Sequence, residues 1–370
     1  MHYDSFHPGQ IWLDTEGKRI QAHGATIFYE DGTYYWLGEN KEKTDGKNGI
    51  WTWGVRCYTS KDLYNWEDQG LIISPDLENE NSPLNPYHAM LDRPHFLHNK
   101  KTGKYVSWVK IMESNGTQSL TILTADNILG PYTIVREHLR PLNMDAGDFD
   151  LTVAPDGKAY YYFERVHSEL ICADLTEDYT NVTGYYSTHF PHPYPPYVRE
   201  APAHFLYGQK HYLITSGTTG YLPNPSEVSV ADTWHGPYTV LGDPHPGDNT
   251  HTSFHSQISC IFRVKGKKNL YIAAADRWCP EKMDHPYERY RLGFEAFYRM
   301  QYGLPLSDEQ NEIIQYLKKQ QEEGNFNGNE NTSIANYVWL PLRFEEPSKK
   351  YPHGMVFIDW KDEWKLTDYE

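Results

Sequence analysis

The sequence predicts an all-β fold: a five-bladed β-propeller with a partly helical insertion in its fifth blade. Three observations lead to this prediction. A hairpin pattern recurs five times along the 370 residues, a second hairpin pattern follows each of the first four copies, and aromatic residues are abundant, with 30 Tyr and 11 Trp. Aromatic side chains favour β-strands, and four-stranded units that recur at a regular period are typical of propellers.

The recurring hairpin is clearest at its first copy. Residues 25–29 (ATIFY) and 34–38 (YYWLG) are apolar runs, and the turn between them contains Asp31-Gly32. An Asp-Gly turn between two apolar runs is the strongest short-range signal for a β-hairpin. The later copies are residues 94–109 (PHFLHNKKTGKYVSWV), 151–164 (LTVAPDGKAYYYFE), 201–217 (APAHFLYGQKHYLITSG) and 258–276 (ISCIFRVKGKKNLYIAAAD).

The second pattern supplies the outer strands of each unit. It consists of a strand end, a turn and another strand, and it occupies residues 58–70, 123–135, 173–184 and 230–242. Since each hairpin of the first kind is followed by one of the second, a pair of hairpins gives one four-stranded blade. Five first hairpins therefore predict five blades, in a single propeller domain that spans residues 1–370.

The fifth blade is interrupted by a polar insertion, which we place at residues 279–333 between strands of that blade. Within it, residues 307–321 predict a helix, because Ser307 is a suitable N-cap and Ile313, Ile314 and Leu317 recur at helical spacing. No other segment predicts a good helix. Strand signals resume at residues 337–342 and 355–360. Three roles fit the insertion: a lid, an oligomer contact or a surface decoration.

Composition narrows the class of ligand. Lys and Arg number 34 against 50 Asp and Glu, which gives a net charge of −16. This balance argues against nucleic acid or an anionic membrane as a partner, and we expect a neutral oligosaccharide or polysaccharide. Tyr and Trp rings can stack on the apolar faces of sugars, although packing within the sheets accounts for most of them. Nothing in the sequence specifies an oligomeric state.

The four cysteines indicate neither a disulfide framework nor a zinc site. Cys57, Cys172, Cys260 and Cys279 are far apart and form no CxxC pair. The first ten residues lack the basic and apolar regions of a signal peptide, and there is no run of 18 apolar residues. We therefore expect a reduced, cytoplasmic protein, or a secreted one if a signal peptide precedes this sequence.

The candidate site lies where the first strands of the blades begin, because those strands line the axis of a propeller and converge at one end. Their heads are residues 21–24 (QAHG), 92–94 (DRP), 148–152 (DFDLT), 199–202 (REAP) and 254–257 (FHSQ). Three of the five carry a carboxylate where a structural strand favours Val or Ile. Carboxyl groups that converge with an amide and a His form a pocket of the kind that glycosidases need, with one acid for the leaving oxygen and a second polar group for water.

These segments resemble glycoside hydrolase family 43, a family of five-bladed propellers, and within it the exo-β-1,3-galactanase branch and its close relatives. The resemblance covers roughly residues 10 to 278 in the family's order, through residues 21–41, 60–66 (SKDLYNW), 92–108, 150–160, 199–205 (REAPAHF), 216–226 (SGTTGYLPNPS), 253–257 (SFHSQ) and 275–278 (ADRW). The insertion and the C-terminus lie outside it.

The resemblance implies that Glu200 is the general acid. It makes Asp150 the carboxylate that raises the pKa of this acid through like-charge repulsion. Both assignments have structural alternatives. Glu200 could form a salt bridge with Arg199, and Asp150 could bond backbone amides, with Asp148 or Asp145 as the functional carboxylate.

The identity of the base is less direct. Most members of the family carry a catalytic base Asp at the head of the first blade, but this chain, like the galactanase branch, has His23-Gly24 there. In that branch a Gln that heads the fifth blade, here Gln257, is proposed to act as the base in its imidic form. An inverting pair of this kind predicts a gap of about 6.5 to 9.5 Å between Glu200 and Gln257. The alternative is an amide that only forms hydrogen bonds.

Asp92 departs from the galactanase pattern, which has Glu at this position of the second blade. The shorter side chain withdraws the carboxylate by about one C–C bond, of order 1.5 Å, which leaves room for a differently shaped sugar such as a furanose. We interpret Asp92 as a substrate-binding or base-side carboxylate. Pairing with Arg93 is the structural alternative.

The remaining candidates follow from the same segments. The substrate-binding residues are predicted to include His23, Glu39, Arg93, Trp108, Arg199, Tyr221, Asp276, Arg277 and Trp278. Candidate sugar platforms, with core packing as their alternative, are Trp53, Trp108, Tyr221 and Trp278. No cofactor is expected to be required. Some family members bind calcium on the axis, which makes a structural calcium in the channel possible, with candidate ligands His23, His251 and His255 beside carbonyls and waters.

Together, the resemblance implies an inverting, exo-acting glycosidase that removes terminal galactosyl residues from galactan or arabinogalactan side chains. An α-L-arabinofuranosidase or a β-D-galactofuranosidase is the alternative within the same family. A propeller that binds carbohydrate without cleaving it is the alternative from another class, because the first-blade Asp is absent.

Overall fold

The five-bladed propeller is confirmed by a computed structural model that describes residues 2–284, 286–322 and 330–370. The described strands form five four-stranded antiparallel sheets, each built from strands that are consecutive in sequence. The first strand of each blade contacts the first strand of the next blade, and blade one contacts blade five in the same way. The five first strands therefore surround a central axis.

Four of the blades contain only strands and turns. Blade one contains β1 (His23–Glu30), β2 (Thr33–Glu39), β3 (Val55–Ser60) and β4 (Glu67–Ile73). Blade two contains β5 (Ala89–Asn99), β6 (Lys104–Glu113), β7 (Gln118–Ala125) and β8 (Thr133–Leu139). Blade three contains β9 (Ala146–Val153), β10 (Ala159–Arg165), β11 (Glu169–Leu175) and β12 (Val182–His189). Blade four contains β13 (Arg199–Tyr207), β14 (Lys210–Gly217), β15 (Glu227–Ala231) and β16 (Thr239–Gly242).

The fifth blade carries the helices. Its strands are β17 (Gln257–Arg263), β18 (Tyr271–Arg277), β19 (Asn336–Glu345) and β20 (Met355–Ile358). Between β18 and β19 the chain forms α1 (Glu288–Gln301) and α2 (Asp308–Glu322). Short 3-10 helices occur at Pro141–Asn143, Pro280–Lys282, Thr332–Ile334 and Leu366–Asp368. Residues 285 and 323–329 of the predicted insertion lie outside the described part of the chain.

The helical part of the insertion is only partly as predicted. Helix α2 coincides with the predicted helix at residues 307–321. The expectation that no other segment forms a good helix is wrong, because α1 extends over 14 residues. Its N-cap position is occupied by Tyr287, which provides no side-chain cap, and Gly293 lies in its interior. Both features weaken the sequence signal for a helix.

The first hairpin illustrates how the turns fix the blades. Strands β1 and β2 pair with Glu30 opposite Thr33, so the connection is the two-residue turn Asp31-Gly32. Both turn residues have positive φ, 46° and 76°, which is the conformation that a tight hairpin turn requires.

The hydrophobic core lies between adjacent blades. One cluster joins blades one and five through residues such as Trp36 and Trp339, and another joins blades two and three through Trp108 and Tyr161. Three further clusters occupy the remaining boundaries between blades. All four cysteines are buried and free. Within the described residues, no helix has both the length and the apolar character needed to span a membrane.

Candidate active site

β-Bulges interrupt the first strands where the site residues lie. The register of the inner strand pair shifts after His23 in blade one, after Asp92 in blade two and after Glu200 in blade four. In each case the next residue has a positive φ: 54° at Gly24, 48° at Arg93 and 46° at Ala201. A bulge of this kind turns a side chain out of the regular alternation of a strand, which explains how polar groups from several blades gather at one end of the axis.

Two buried cations tie the carboxylates of this end together. Nη2 of Arg93 lies 3.0 Å from Oδ2 of Asp148 and also donates to Oε1 of Gln257. Nζ of Lys110, from β6, lies 2.9 Å from Oδ1 of Asp148 and 3.3 Å from Oδ2 of Asp92. Blades two, three and five are thus joined by one cluster of ion pairs and hydrogen bonds.

Glu200 is the carboxyl group best placed to hold a proton. Burial raises its pKa well above the ordinary value, and the negative charges of Asp148 and Glu164 raise it further. The positive charges of Lys110 and Arg93 act in the opposite direction. A carboxylic acid in such surroundings keeps its proton to higher pH than an exposed one, which is what a general acid requires.

Two of the three arginines predicted to bind substrate, Arg199 and Arg277, donate their hydrogen bonds to other parts of the propeller. The guanidinium of Arg199 donates to Oγ1 and to the carbonyl oxygen of Thr215, at 2.9 and 2.6 Å, and makes no ion pair with Glu200. Arg277 donates to backbone carbonyl oxygens of residues 254 and 255 and lies over the ring of Trp360. Arg199 thus fastens β13 to β14, and Arg277 fastens β18 to the loop before β17. That Arg199 and Arg277 bind substrate stays a prediction.

Asp150 binds backbone N–H groups, and Asp148 has the influence on Glu200 that was predicted for Asp150. The two carboxylate oxygens of Asp150 accept from backbone N–H groups at 2.8 and 2.7 Å. Asp148 is the carboxylate whose charge raises the pKa of Glu200. Asp145, the other alternative, pairs with Arg140 near the surface. The structure thus favours the alternative in which Asp148, instead of Asp150, modulates the acid.

Gln257 contacts Glu200 directly. Its Nε2 donates to Oε1 of Glu200 at 3.4 Å and to Oγ of Ser216 at 2.9 Å, while its Oε1 accepts from Arg93 and from Nε1 of Trp278 at 3.1 Å. Arg and Trp only donate, and two donors require an oxygen with two lone pairs, so this geometry selects the ordinary amide form. The expected gap between Glu200 and Gln257 is absent, and the position of Gln257 is that of a residue that orients the acid.

Glu39 and Asp92 form a second acidic pair. Oε1 of Glu39 accepts from the backbone N–H of Arg93 at 2.9 Å, and Nζ of Lys41 lies 2.6 Å from Oε2. Burial and the charge of Asp92 raise the pKa of Glu39 to about 8. Burial would also raise the pKa of Asp92, but Lys110 and Lys41 lower it to about 2. Asp92 is therefore ionised. Its cationic partner is Lys110, whereas the structural alternative predicted a pair with Arg93.

The predicted aromatic platforms Tyr221 and Trp278 surround Lys41. Its Nζ lies 5.1, 5.7 and 5.8 Å from the ring centroids of Trp51, Tyr221 and Trp278. Trp51 also stacks on Tyr221 and donates from Nε1 to Oδ1 of Asp92 at 3.3 Å. The Lys41 cage (Trp51, Tyr221 and Trp278) therefore borders the acidic pair, and one of its three rings, Trp51, was not identified from the sequence.

The other predicted platforms are separate from this cluster. Trp108 is fully buried, packs on Tyr161 and donates to the carbonyl oxygen of Tyr179. Its predicted contact with substrate is wrong, because it belongs to the core between blades two and three. Trp53 contacts Tyr87 edge-on, with centroids 6.0 Å apart.

His23 and Asp276 join blade one to blade five beside the axis. Nδ1 of His23 lies 2.9 Å from Oδ1 of Asp276, and Nε2 lies 3.2 Å from the hydroxyl of Tyr337. Oδ2 of Asp276 accepts from the backbone N–H of Gly24 at 3.0 Å. Burial lowers the pKa of His23 despite the nearby carboxylate. Both side chains therefore hold the ring of blades together, and the nitrogens of His23 are engaged by protein groups.

The predicted calcium in the channel stays a prediction. The carboxylate of Asp148 is paired with Arg93 and Lys110, which already supply positive charge there. Of the other candidate ligands, His251 is exposed and His255 is buried. Among the described residues, one group has the spacing of metal ligands, and it lies in the insertion: Cys279, Glu281 and Glu330. Lys282 forms an ion pair with Glu330.

Glu164 completes the acidic cluster and was also missed from the sequence. It lies near the end of β10, it is 4% exposed, and its Oε1 accepts from the backbone N–H of His167 at 2.8 Å. Burial raises the pKa of Glu164 to about 7, and the charge of Asp148 contributes. The side chain packs so closely on Gly147 that a Cβ there would overlap its carboxyl group. A signal was present, since Glu164 and Lys110 are charged residues within apolar runs.

A carboxyl group whose pKa is raised by burial and by neighbouring carboxylates, at one end of a propeller axis, is the arrangement that acid catalysis in glycoside hydrolases requires. Comparison with known families agrees. Residues 19–260, which are more than half of the chain, match glycosyl hydrolases family 43. The chain belongs to this family.

Solved structures of family 43 are similar over almost the whole chain. One β-1,3-galactosidase is 26% identical with a TM-score of 0.74, covering 99% of this chain and 65% of its own. A second β-1,3-galactosidase, solved with galactodeoxynojirimycin, is 25% identical with a TM-score of 0.74, and the match covers 98% of this chain and 100% of that protein. An exo-β-1,3-galactanase from Clostridium thermocellum is 25% identical with a TM-score of 0.69, covering 97% and 66%. The chain thus spans slightly less than two thirds of the first and third. No curated protein matches it.

Proposed function

We propose that the protein is an inverting, exo-acting glycosidase that removes terminal galactosyl residues from galactan or arabinogalactan side chains, with Glu200 as the general acid. The observation that carries this proposal is the environment of Glu200, a partly buried carboxyl group whose pKa is raised by desolvation and by the charge of Asp148. The similarity to β-1,3-galactosidases at 25% and 26% identity supports galactose as the sugar.

In this mechanism Glu200 protonates the leaving oxygen. When the bond between the anomeric carbon and the glycosidic oxygen breaks, the electron pair goes to the oxygen, which takes the proton of Glu200 and leaves as a hydroxyl group. The resulting carboxylate is favoured by the positive charges of Lys110 and Arg93 and accepts the hydrogen bond of Gln257. Glu200 then regains a proton from solvent.

Asp92 is the carboxylate that we assign to the water side of the reaction. Its pKa of about 2 keeps it ionised, and Lys110 and Trp51 hold its two oxygens. The attacking water donates a hydrogen bond to Asp92 and gives its oxygen to the anomeric carbon, and the proton that it loses passes to solvent. A carboxylate of such low pKa orients a water molecule more than it deprotonates one. Inversion then requires that a β-galactoside first releases α-galactose, which NMR of the initial product measures.

The sugar specificity is tested with a panel of substrates. We expect release from nitrophenyl β-D-galactopyranoside and from β-1,3-linked galactooligosaccharides, one galactose at a time. Hydrolysis of only the galactofuranoside or only the α-L-arabinofuranoside would replace the proposed sugar by one of the family alternatives. No turnover of any galactosyl substrate would refute the galactosyl assignment.

The role of Glu200 is tested by Glu200→Gln. Since a general acid typically contributes about 10² to 10⁴ in rate, we expect a loss of this size in kcat on an oligosaccharide. The matched control is Glu177→Gln, because Glu177 is an exposed residue that pairs with Lys101 at the surface. The activity of the Glu177→Gln variant should equal that of the wild type. An unchanged rate in Glu200→Gln would remove Glu200 from the mechanism.

A further inference from the structure

We propose that helix α1 of the insertion forms a binding site for the leaving part of the substrate, in which a neutral pyranose residue of the galactan chain packs on the ring of Tyr298. This proposal rests on the proposed function, because it takes Glu200 as the acid. The insertion lies outside the segments that resemble the family, and no role is assigned to it.

Helix α1 is fixed to the segment that leads into Glu200. Three of its residues, spaced four apart and therefore on one face, face that segment: Arg291, Glu295 and Arg299. Nη1 of Arg291 and Oε2 of Glu295 both lie 3.0 Å from the hydroxyl of Tyr197. Nη1 of Arg299 donates to the hydroxyl of Tyr194 at 2.9 Å. Since Tyr197 lies only three residues before Glu200, α1 is held at the rim of the site.

The same face of α1 also reaches blade three. The ring of Tyr298 meets the ring of His167 edge-on, with centroids 5.1 Å apart. The backbone N–H of His167 in turn donates to Glu164 at 2.8 Å. Burial raises the pKa of Tyr298 to about 12, and the charges of Glu200 and Glu164 contribute. The half-buried ring of Tyr298 therefore lies beside the loop between β10 and β11 that caps Glu164.

The chemistry of the acid decides what occupies this place. A general acid must touch the glycosidic oxygen, and that oxygen is also bonded to the leaving sugar. The leaving sugar therefore extends past Glu200 in the direction away from the bound galactosyl group. A half-buried phenol beside an imidazole offers an apolar ring face and polar edges, which suit the C–H face and the hydroxyl groups of a pyranose.

The test compares two substrates that differ only in the leaving group. β-Galactosyl fluoride leaves the site on α1 empty, because its leaving group is a single ion, whereas β-1,3-galactotriose fills it. In Tyr298→Ala we expect kcat/KM for the triose to fall by about 5- to 10-fold, as for the loss of an aromatic contact, with no change for the fluoride. Tyr298→Phe keeps the ring and should restore the rate on the triose.

The matched control is Tyr316→Ala, which removes an exposed tyrosine of α2 and should leave both rates unchanged. Equal losses on both substrates in Tyr298→Ala, or no loss on either, would overturn the proposed site. If the wild type cleaves neither substrate, the proposed function fails. The site is then tested by calorimetry, which measures the affinity for the triose. Both proteins in this measurement carry Glu200→Gln, and one of them also carries Tyr298→Ala. If Tyr298→Ala weakens binding of the triose but not of galactose, the site is supported. Equal binding of the triose by the two proteins overturns it.

Discussion

At the level of single residues, the distribution of charge decides which carboxyl group carries the proton. Among the described residues, five acids and three cations gather at this end of the axis: Glu39, Asp92, Asp148, Glu164 and Glu200 with Lys41, Arg93 and Lys110. Arg93 and Lys110 contact Asp148, Lys110 also contacts Asp92, and Lys41 contacts Glu39. Glu200 receives a long hydrogen bond from the neutral amide of Gln257. Burial and the neighbouring negative charges therefore raise the pKa of Glu200 well above its ordinary value.

The contribution of Asp148 can be measured through the pH dependence of the reaction. The charge of Asp148 raises the pKa of Glu200, so Asp148→Asn should lower it. Because the acid works only while it is protonated, kcat/KM falls as pH rises through the pKa of Glu200. We therefore expect the alkaline limb of the profile to move to lower pH in Asp148→Asn, by about one unit or more.

Asp150→Asn provides the matched comparison. Because Asp150 accepts two backbone hydrogen bonds, its substitution should lower the melting temperature and leave the alkaline limb in place. The opposite pattern, with a moved limb in Asp150→Asn and an unmoved one in Asp148→Asn, would return the modulating role to Asp150.

Glu164 should make the protein less stable as pH rises. Its pKa is raised from 4.5 to about 7 by burial, so the folded state binds more protons than the unfolded state between these values. Stability is then greatest below the unfolded pKa and is lost as pH rises through about 7. Glu164→Gln should flatten this dependence, by about 1.4 kcal/mol for each unit of pKa shift removed. Urea unfolding between pH 5 and 8 measures the slope, and equal slopes in both proteins would contradict the prediction.

The sequence identified Glu200, Asp92 and Gln257 because each heads or closely follows the start of an inner strand. The resemblance assigned the modulating role to Asp150, with Asp148 as an alternative, because residues two apart share one face of a strand. The two differ in their partners from blade two, because Arg93 and Lys110 pair with Asp148 whereas His95 contacts Asp150.

At the level of elements, bulges convert regular strands into a site. Arg93 and Ala201 adopt positive φ directly after Asp92 and Glu200, and this conformation is costly for residues other than glycine. Blade one has Gly24 at the corresponding place, where it is free of that cost. The hairpins were predictable from turns and alternation, but the bulges were not, because they depend on packing around the axis.

Two glycines test how closely the elements pack. A Cβ on Gly293, inside α1, would lie 3.5 Å from Ile313 and Leu317 of α2, which is ordinary contact. Gly293→Ala should therefore stabilise the helix by up to about 1 kcal/mol. A Cβ on Gly38, in β2, would overlap the backbone of Ala22 and His23, so Gly38→Ala should destabilise by about 1 to 3 kcal/mol.

Melting temperatures of the two variants measure the difference. A rise for Gly293→Ala together with a fall for Gly38→Ala is the expected result. Equal changes would mean that α1 does not pack on α2 as described. Gly293 also explains why the sequence did not predict α1. A glycine lowers the helical propensity in the middle of the helix, and helix–helix packing compensates for this only in the folded protein.

At the level of the whole molecule, the number of blades was predictable because each blade repeats one local pattern. The closure of the ring was not, because it joins the two ends of the chain. Phe6 and Trp364 exchange backbone hydrogen bonds at 2.9 and 3.2 Å and stack with centroids 4.2 Å apart. Trp12 then packs between Phe6 and the blade boundary at Trp36 and Trp339. This aromatic cluster fastens blade one to blade five.

Closure by aromatic packing predicts a large effect of one substitution far from the site. Trp364 is 2% exposed and donates from Nε1 to the carbonyl oxygen of Trp339 at 2.9 Å. Trp364→Ala should cost about 3 to 5 kcal/mol, as for other buried tryptophans. Trp360→Ala is the control: Trp360 is 37% exposed and lies over Arg277, so its removal should cost about 1 kcal/mol or less.

Thermal unfolding followed by tryptophan fluorescence distinguishes these outcomes. If the ends of the chain close the ring, Trp364→Ala should melt well below Trp360→Ala. Because His23 of blade one and Asp276 of blade five meet beside the axis, activity of Trp364→Ala should also be lost at a lower temperature, together with the folded structure. Equal melting temperatures for the two variants would mean that the first strands hold the ring closed without the terminal cluster.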